Sequence, residues 1–334
     1  MADYRTTGKE LRKSPKGLIA GILAVLLLAG GIYGAKYIFD NTELIEDTSS
    51  AEESSEIDIV IPDETAPVDE DKVIYSYEAL FRTDILKGDL MLVNRDYHTS
   101  DTSETLVTYY EKRNEHYSVR DTEVKGLPQC VDAFTAMTQA FFDATGVEGL
   151  QVVDGYRTQA QQKNLADKDK TAAGNPAKTP PAGFSEHETG LALDVNVYQH
   201  GEGKEFDGTG DFAWIYEHCA EYGFVLRYAA DKVGTTQFAS EPWHFRYVGV
   251  PHAIYMKENN LCLEEYLAQM QLYTYEGEHL ELKDAEGKTY EAFYVPALSE
   301  DEAGIVEVPV PAECAYTLSG DNQNGFIVTV QIDK

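Results

Sequence analysis

The chain has 334 residues, enough for one ordinary domain with additional segments, and its 43% hydrophobic and 25% charged residues are typical of a folded globular protein. This composition excludes a wholly disordered or collagen-like chain. The 27 basic and 58 acidic residues give a net charge of −31, which repels phosphate backbones and argues against a nucleic-acid partner.

The N-terminal segment has the features of a single membrane crossing. Residues 1–16 form a basic leader, and Gly17–Ala35 is a run of 19 uncharged, mostly apolar residues. As a helix, this run would span about 28 Å, close to the thickness of a bilayer's hydrocarbon core. We therefore expect a transmembrane helix over residues 17–39, with the N-terminus in the cytoplasm and the rest of the chain outside the cell. A cleaved signal peptide is the alternative.

An acidic segment follows the predicted helix. Asp40–Asp71 holds 13 acidic residues and no Lys or Arg. Such a segment lacks the apolar content that collapse into a core requires. We expect residues 40–72 to form a disordered tether between the membrane and a folded domain.

Four cysteines lie beyond the tether, on the predicted outer side of the membrane, where disulfides can persist. Four cysteines allow three pairings, and the sequence leaves all three open. None belongs to a CxxC pair, so we do not expect a cysteine-based metal site. They are Cys130, Cys219, Cys262 and Cys314.

Regular secondary structure is predicted beyond the tether. The apolar run Leu90–Asn94 follows a Lys-Gly-Asp turn and is typical of a short strand. Apolar residues in Val131–Ala144 recur at the i, i+3 spacing of an amphipathic helix, which Gly146 would end. Leu150–Val153 is predicted to be a strand and Thr158–Lys168 a helix.

The C-terminal region changes character after Tyr273, where short β-like runs alternate with Gly, Asn and Asp clusters. We expect residues 73–271 to form the main domain and residues 272–334 a small β-rich appendage. The β-like runs are Ala292–Val295, Ile305–Val308 and Phe326–Ile332.

The segment Ser185–Asn196, SEHETGLALDVN, carries the strongest chemical signal. From Leu191 onward its residues alternate as in a strand, so that Asp194 projects from an otherwise apolar strand. A carboxylate in that position is costly unless a cation meets it. Gly190 allows a turn that would bring His187 to the same point.

A second segment, EPWHFRY, supplies the remaining groups of a catalytic metal site. A catalytic zinc needs three protein ligands and a fourth position that stays open for water. We expect His244 to complete a zinc site with His187 and Asp194, and Glu241 to act as the general base. In a regular strand Glu241 and His244 would point to opposite faces. Pro242 is therefore expected to introduce a bulge or bend.

The two segments resemble the SxHxxGxAxD and ExxH signatures of the zinc D-alanyl-D-alanine carboxypeptidases of the VanY type, peptidase family M15. The similarity extends upstream to Asp154–Thr158, DGYRT, in which Thr158 replaces the usual serine and Gln162 follows the arginine by five residues. It also includes Glu221–Tyr228, EYGFVLRY. The resemblance covers roughly Leu90–Leu267.

This resemblance implies a zinc enzyme that releases C-terminal D-alanine from peptidoglycan stem peptides. It implies an α+β fold of the hedgehog/DD-peptidase type, in which helices pack on a central, mostly antiparallel sheet. It carries no implication for residues 272–334. The residues it implies are the zinc ligands His187, Asp194 and His244, the general base Glu241, and Arg157, Gln162 and Ser185 as contacts of the polarised carbonyl oxygen or the peptide's terminal carboxylate.

Two other functions stay open at this point. An LD-carboxypeptidase acting on tetrapeptide stems would use the same metal site, because the site does not define the configuration of the residue before the cleaved bond. A non-catalytic cell-wall binding module would keep both the scaffold and the zinc. Glu241 argues against that module, because a site that only binds needs no base beside the metal.

Overall fold

The computed structural model describes residues 73–102, 104–173, 179–299 and 303–332. The predicted leader, transmembrane helix and tether, residues 1–72, lie outside these ranges. Within them, no helix combines the length and the apolar character that a bilayer crossing requires.

Short strands and helices alternate along the described ranges. In chain order the strands are β1 (Tyr75–Phe81), β2 (Val107–Thr108), β3 (Tyr117–Val119), β4 (Lys125–Gly126), β5 (Leu150–Asp154), β6 (Ala192–Gln199), β7 (Glu202–Glu205), β8 (Phe224–Tyr228), β9 (Glu241–Tyr247), β10 (Leu280–Lys283), β11 (Thr289–Pro296), β12 (Ile305–Pro311), β13 (Tyr316–Gly320) and β14 (Gly325–Gln331). The α-helices are α1 (Tyr109–Lys112), α2 (Pro128–Thr145), α3 (Gln159–Ala173), α4 (Ala213–His218), α5 (Val233–Thr236), α6 (Val250–Glu258) and α7 (Leu263–Met270).

A six-stranded sheet lies at the centre of the main domain. Its strand order is β3-β5-β6-β9-β8, with β7 paired to β6. Strands β3 and β5 are parallel, and the other pairs are antiparallel. Buried side chains of α2 share a core with those of this sheet. The predicted mostly antiparallel sheet with packed helices is therefore confirmed.

Helix α2 confirms the predicted amphipathic helix. It begins at Pro128, which suits the first turn because an N–H there has no partner within the helix. It ends at Gly146, whose φ of 68° is left-handed and whose N–H donates to the carbonyl of Phe142. Phe134 on its buried face packs in the same core as Leu193 of β6.

Residues Leu90–Asn94 are buried, but they do not form the predicted strand. The N–H of Leu90 donates to Ser319 Oγ, and the N–H of Leu92 donates to the carbonyl of Asp321. A short apolar run has the same sequence pattern in a strand and in a buried loop. Here a side chain and a loop carbonyl satisfy backbone groups that a strand would pair in a ladder.

The C-terminal region forms a second antiparallel sheet, in the order β10-β11-β14-β13. The three predicted β-like runs correspond to β11, β12 and β14. Strand β1 pairs antiparallel with β12 in a separate two-stranded ribbon, so the first described strand lies beside C-terminal strands. The division of the chain between residues 271 and 272 stays a prediction.

All four cysteines lie in the described ranges as free thiols. Burial raises the pKa of Cys130 and of Cys219 to about 12. Both thiols are therefore uncharged at neutral pH, which makes them poor nucleophiles and poor metal ligands.

Candidate active site

Strands β6 and β9 bring the predicted metal ligands together. Asp194 and His244 are register partners on these strands, and Nδ1 of His244 lies 2.9 Å from Oδ1 of Asp194. His187 lies in the short 3-10 turn before β6, and its Nε2 is 3.4 Å from Oδ2 of Asp194. One ligand atom from each of the three residues lies within 4.8 Å of the other two. The structure therefore places the three side chains around one point.

A tight turn places His187 close to Asp194. Gly190 ends the turn with a φ of 77°, a conformation that residues with side chains rarely adopt. A Cβ at this position would also lie 3.2 Å from the side chain of Leu127. The hydroxyl of Thr189 donates to the carbonyl of Glu186 across the turn. The turn predicted at Gly190 is therefore confirmed.

The predicted irregularity in β9 is also present. Leu226 of β8 pairs with Phe245, and the next pair joins Tyr228 to Glu241. Three residues of β9 thus lie between these pairs against one residue of β8. Such a bulge breaks the strict alternation of faces, which allows Glu241 and His244 to serve the same site.

Glu241 is half-buried beside the three clustered side chains. Burial raises the pKa of its carboxyl group above the usual range; His244 opposes this rise and Asp194 reinforces it. A carboxylate with a raised pKa is a stronger base than an ordinary one. The electrostatics at Glu241 therefore suit the predicted general base.

Each clustered imidazole has one ring nitrogen bound to an acceptor outside the cluster. Nδ1 of His187 lies 2.7 Å from the carbonyl of Gly155, so this nitrogen donates and Nε2 faces Asp194. Nε2 of His244 lies 3.3 Å from Oε2 of Glu186, so it donates there and Nδ1 faces Asp194. The remaining two nitrogens and one carboxylate form a donor set that zinc accepts. Nδ1 of His244 lies 2.9 Å from Oδ1 of Asp194, and Nε2 of His187 lies 3.4 Å from Oδ2.

The charges at this cluster favour a cation. Burial alone would raise the pKa of Asp194, but His187 and His244 lower it overall to well below its usual range. Burial acts to lower the pKa of His244, but the bonds to Asp194 and Glu186 raise it to about 9. A buried site that stabilises positive charge on an imidazole also suits a divalent metal ion.

Sequence reasoning missed Glu186 and the two arginines that bind it. Oε1 of Glu186 accepts from Nε of Arg227 at 2.7 Å and from Nη1 of Arg246 at 2.8 Å, and all three side chains are buried. Burial would raise the pKa of Glu186, but these two guanidinium groups lower it well below its usual range. The ring of Tyr228 lies 4.9 Å from that of His244, between centroids. All four residues stand inside the motifs quoted above, but the motifs do not indicate which of them meet.

Of the three predicted substrate contacts, Arg157 and Ser185 lie next to His187, whereas Gln162 binds the loop at Pro180. The N–H of Arg157 donates to the carbonyl of His187, and its Nη2 lies 3.5 Å from Oγ of Ser185. Nε2 of Gln162 donates to the carbonyl of Pro180 at 2.7 Å. Nε of Arg157 and Oε1 of Gln162 are buried without a partner among the described residues. Unpaired buried polar atoms are uncommon in folded proteins, and a catalytic or binding role is one of the reasons for which they are retained. The contacts of these residues with substrate stay predictions.

Thr158 forms hydrogen bonds at the start of helix α3. Its Oγ1 accepts from the N–H of Gln161, and its own N–H donates to Oε1 of Gln161 at 2.8 Å. This capping box starts helix α3 and fixes Arg157 directly before the helix. Threonine keeps the hydroxyl group that the cap requires, so its replacement of serine is conservative here.

A family model described as VanY, D-alanyl-D-alanine carboxypeptidase, matches residues 126–250. A D-alanyl-D-alanine carboxypeptidase of Enterococcus faecium is 32% identical over 252 residues, which are 74% of this chain and 76% of that protein. The chain belongs to the VanY family. The putative carboxypeptidase YodJ of Bacillus subtilis is 30% identical over 274 residues, which are 74% of this chain and 96% of that protein.

A solved structure extends the VanY-family comparison to the fold. The vancomycin-resistance D,D-dipeptidase VanXYg, in complex with a D-Ala-D-Ala phosphinate analogue, is similar with a TM-score of 0.68 and 28% identity. The similarity covers 77% of this chain and 99% of that one. The VanY match at residues 126–250 contains all seven residues predicted for the site. The family resemblance stated from the motifs is confirmed.

Proposed function

We propose that this protein is a zinc-dependent carboxypeptidase that releases C-terminal D-alanine from peptidoglycan stem peptides. The observation that carries the proposal is the convergence of His187, Asp194 and His244 at one point, with the half-buried Glu241 beside them. Membership of the VanY family supports the substrate, because the Enterococcus faecium relative is named a D-alanyl-D-alanine carboxypeptidase.

The three clustered side chains would hold the zinc ion. When bound there, zinc would polarise the scissile carbonyl and make a water molecule more acidic. The chain's own contribution is orientation. Gly155 and Glu186 each bind one ring nitrogen of the two histidines, which leaves His187 Nε2 and His244 Nδ1 directed at Asp194.

Glu241 would move the proton. Its carboxylate takes a proton from the attacking water and returns it to the amine of the departing D-alanine. The raised pKa of Glu241 brings it closer to neutral pH, where a group can both accept and release a proton. General acid-base catalysis of this kind contributes about 10²- to 10⁴-fold to the rate.

Arg157 would stabilise negative charge on the substrate. Its guanidinium group lies beside Ser185 and carries one buried N–H without a partner among the described residues. A fixed donor placed where charge develops in the transition state contributes roughly 3 kcal/mol. Arg157 would bind the polarised carbonyl oxygen or the terminal carboxylate of the peptide. Ser185 and Gln162 would contact the peptide's C-terminus.

We further propose that the catalytic domain, residues 73–271, works outside the cell. A membrane helix in residues 17–39 would anchor it, and residues 40–72 would form the tether. The basic leader before the apolar run, with Lys36 as the single basic residue just after it, supports this orientation. Residues 272–334 would add a small β-rich domain.

The test is release of D-alanine by the purified full-length protein in detergent. One substrate is a pentapeptide stem that ends in D-Ala-D-Ala, and the other is a tetrapeptide stem with an L-centre before its last D-alanine. We expect D-alanine, identified by mass, from the pentapeptide, no release after chelation, and recovery with added zinc. Release from the tetrapeptide alone would show an LD-carboxypeptidase instead. Zinc binding without release from either peptide would show a binding module.

A further inference from the structure

A buried carboxylate separates the candidate metal ligand His244 from two buried arginines. The two oxygens of Glu186 have different partners. Oε1 accepts from both Arg227 and Arg246, whereas Oε2 faces Nε2 of His244 at 3.3 Å. The side chains of Glu186, Arg227 and Arg246 have no exposed surface. The orientation of Glu186 is therefore determined from the side opposite His244.

The charges behind Glu186 balance without His244. Arg227 also donates from Nη1 and Nη2 to the two oxygens of Glu264, at 2.9 and 2.7 Å. Two carboxylates and two guanidinium groups thus form a neutral cluster, in which Glu264 is partly exposed and the other three side chains are buried. The hydrogen bond from His244 to Glu186 is consequently not needed to neutralise the cluster. Its main effect is on the tautomer and orientation of the His244 imidazole.

Arg246 connects this cluster to the backbone around it. Its Nη2 donates to the carbonyls of Asp89 and Met91, at 2.9 and 2.8 Å, and its Nε donates to the carbonyl of Tyr247. A planar guanidinium group bound at three nitrogens has little freedom to rotate. Arg246 therefore presents a fixed donor to Oε1 of Glu186.

We propose that Glu186 is a positioning residue that holds His244 with Nδ1 directed at the metal, an inference that rests on the proposed zinc site. A neutral imidazole has two tautomers, and only one of them leaves the lone pair on Nδ1. An immobile acceptor at Nε2 selects that tautomer and fixes the ring plane. The carbonyl of Gly155 is in the equivalent position for His187. A purely structural Glu186 would serve the arginines alone.

The experiment measures the zinc affinity of the full-length protein by competition with a chromophoric chelator. Glu186→Gln would turn an amide N–H toward Nε2 of His244 or toward the arginines. Glu186→Asp keeps the charge but is one methylene too short to reach both partners. We expect both variants to bind zinc about 10- to 100-fold more weakly than wild type. The ligand-field spectrum of the Co²⁺-substituted protein should also change.

The matched control is Glu264→Gln, which removes the other carboxylate bound to Arg227 and leaves the contact between Glu186 and His244. We expect it to lower the melting temperature but to change the zinc affinity by less than about twofold. Unchanged zinc affinity and Co²⁺ spectra in the Glu186 variants would overturn the proposal.

A second measurement uses the wild-type protein, so its result does not depend on whether the variants fold. The ¹⁵N shifts of the zinc-bound protein should show a protonated Nε2 in His244, and a protonated Nδ1 would overturn the proposal. These readouts do not involve peptide turnover. A wild-type protein that binds zinc with the expected tautomer but releases no D-alanine would refute the proposed reaction and leave the role of Glu186 intact.

Discussion

Asp194 and His244 lie directly opposite each other on β6 and β9, with 2.9 Å between Oδ1 and Nδ1. Side chains that face each other on adjacent antiparallel strands have Cβ atoms about 4.5–5.5 Å apart. The register of these two strands therefore places two of the three candidate ligands. A slip of one residue would turn Asp194 toward the core, so the site depends on this register.

Replacement of Asp194 tests the metal site. We expect Asp194→Ala to lose most zinc binding and all detectable D-alanine release, because two imidazoles alone make an incomplete site. Metal analysis after dialysis and circular dichroism would show zinc loss with an intact fold. Asp207→Ala, at an exposed position outside the site, is the control and should keep its zinc. Stoichiometric zinc in Asp194→Ala would contradict the ligand assignment.

Replacement of Glu241 separates metal binding from proton transfer. We expect Glu241→Gln to retain zinc and to lower kcat by about 10²- to 10⁴-fold, because glutamine cannot take a proton from water. Release of D-alanine at saturating pentapeptide is the measurement. Glu202→Gln on the exposed strand β7 should behave as wild type. Near-normal kcat in Glu241→Gln would remove this residue from the proposed reaction.

The convergence of the three candidate ligands and the irregularity beside Glu241 could be predicted because each depends on local sequence. Alternation along a strand predicts the face on which Asp194 lies, and Gly190 permits the turn at His187. Pro242 predicts the bulge in β9. The contacts of Glu186 could not be predicted, because Arg227 and Arg246 follow it by 41 and 60 residues in sequence.

The strand predicted at Leu90–Asn94 was wrong for a related reason. The apolar pattern of this run correctly indicated burial. It did not indicate that Ser319 and Asp321, more than 200 residues away, would bind its backbone. Local sequence indicates which residues are buried, whereas their hydrogen-bond partners depend on the tertiary fold.

His252 is expected to make the stability of the protein dependent on acid pH. It lies on α6, with Nδ1 2.6 Å from the hydroxyl of Tyr266 and Nε2 3.0 Å from Oγ1 of Thr329 on β14. Burial lowers its pKa to about 3, whereas a histidine in an unfolded chain has a pKa of about 6.5. The unfolded chain therefore binds the additional proton as the pH falls. Stability from this group is complete above about pH 6.5 and is lost progressively toward pH 3.

The measurement is urea unfolding at pH 6.5 and pH 5. His252 alone should reduce the free energy of unfolding by roughly 2 kcal/mol over this interval. We expect His252→Gln to be less stable than wild type at pH 6.5 but to lose about 2 kcal/mol less on acidification. His98→Gln, at an exposed histidine, is the control and should retain the wild-type pH dependence. An unchanged pH dependence in His252→Gln would show that this side chain is not the group responsible.

Asn322 joins the C-terminal sheet to the buried loop that precedes the main sheet. It lies between β13 and β14 with a φ of 56°, and its Nδ2 donates to the carbonyls of Leu92 and His98 at 2.6 and 2.9 Å. Asn322→Ala would leave these carbonyls without that donor and would place alanine in a left-handed conformation, which asparagine tolerates better. We expect a loss of about 2–4 kcal/mol in the free energy of unfolding, measured in urea at a fixed zinc concentration.

Asn322→Gly separates the contribution of the hydrogen bonds from that of the left-handed backbone. Glycine accepts the left-handed backbone but cannot donate to Leu92 and His98, so only the hydrogen-bond loss of about 1–3 kcal/mol should remain. Asn322→Gly should therefore be about 1 kcal/mol more stable than Asn322→Ala. Equal stability of the two variants would show that backbone strain contributes nothing at this turn. Wild-type stability in both would show that the bonds from Asn322 do not hold the loop against the C-terminal sheet.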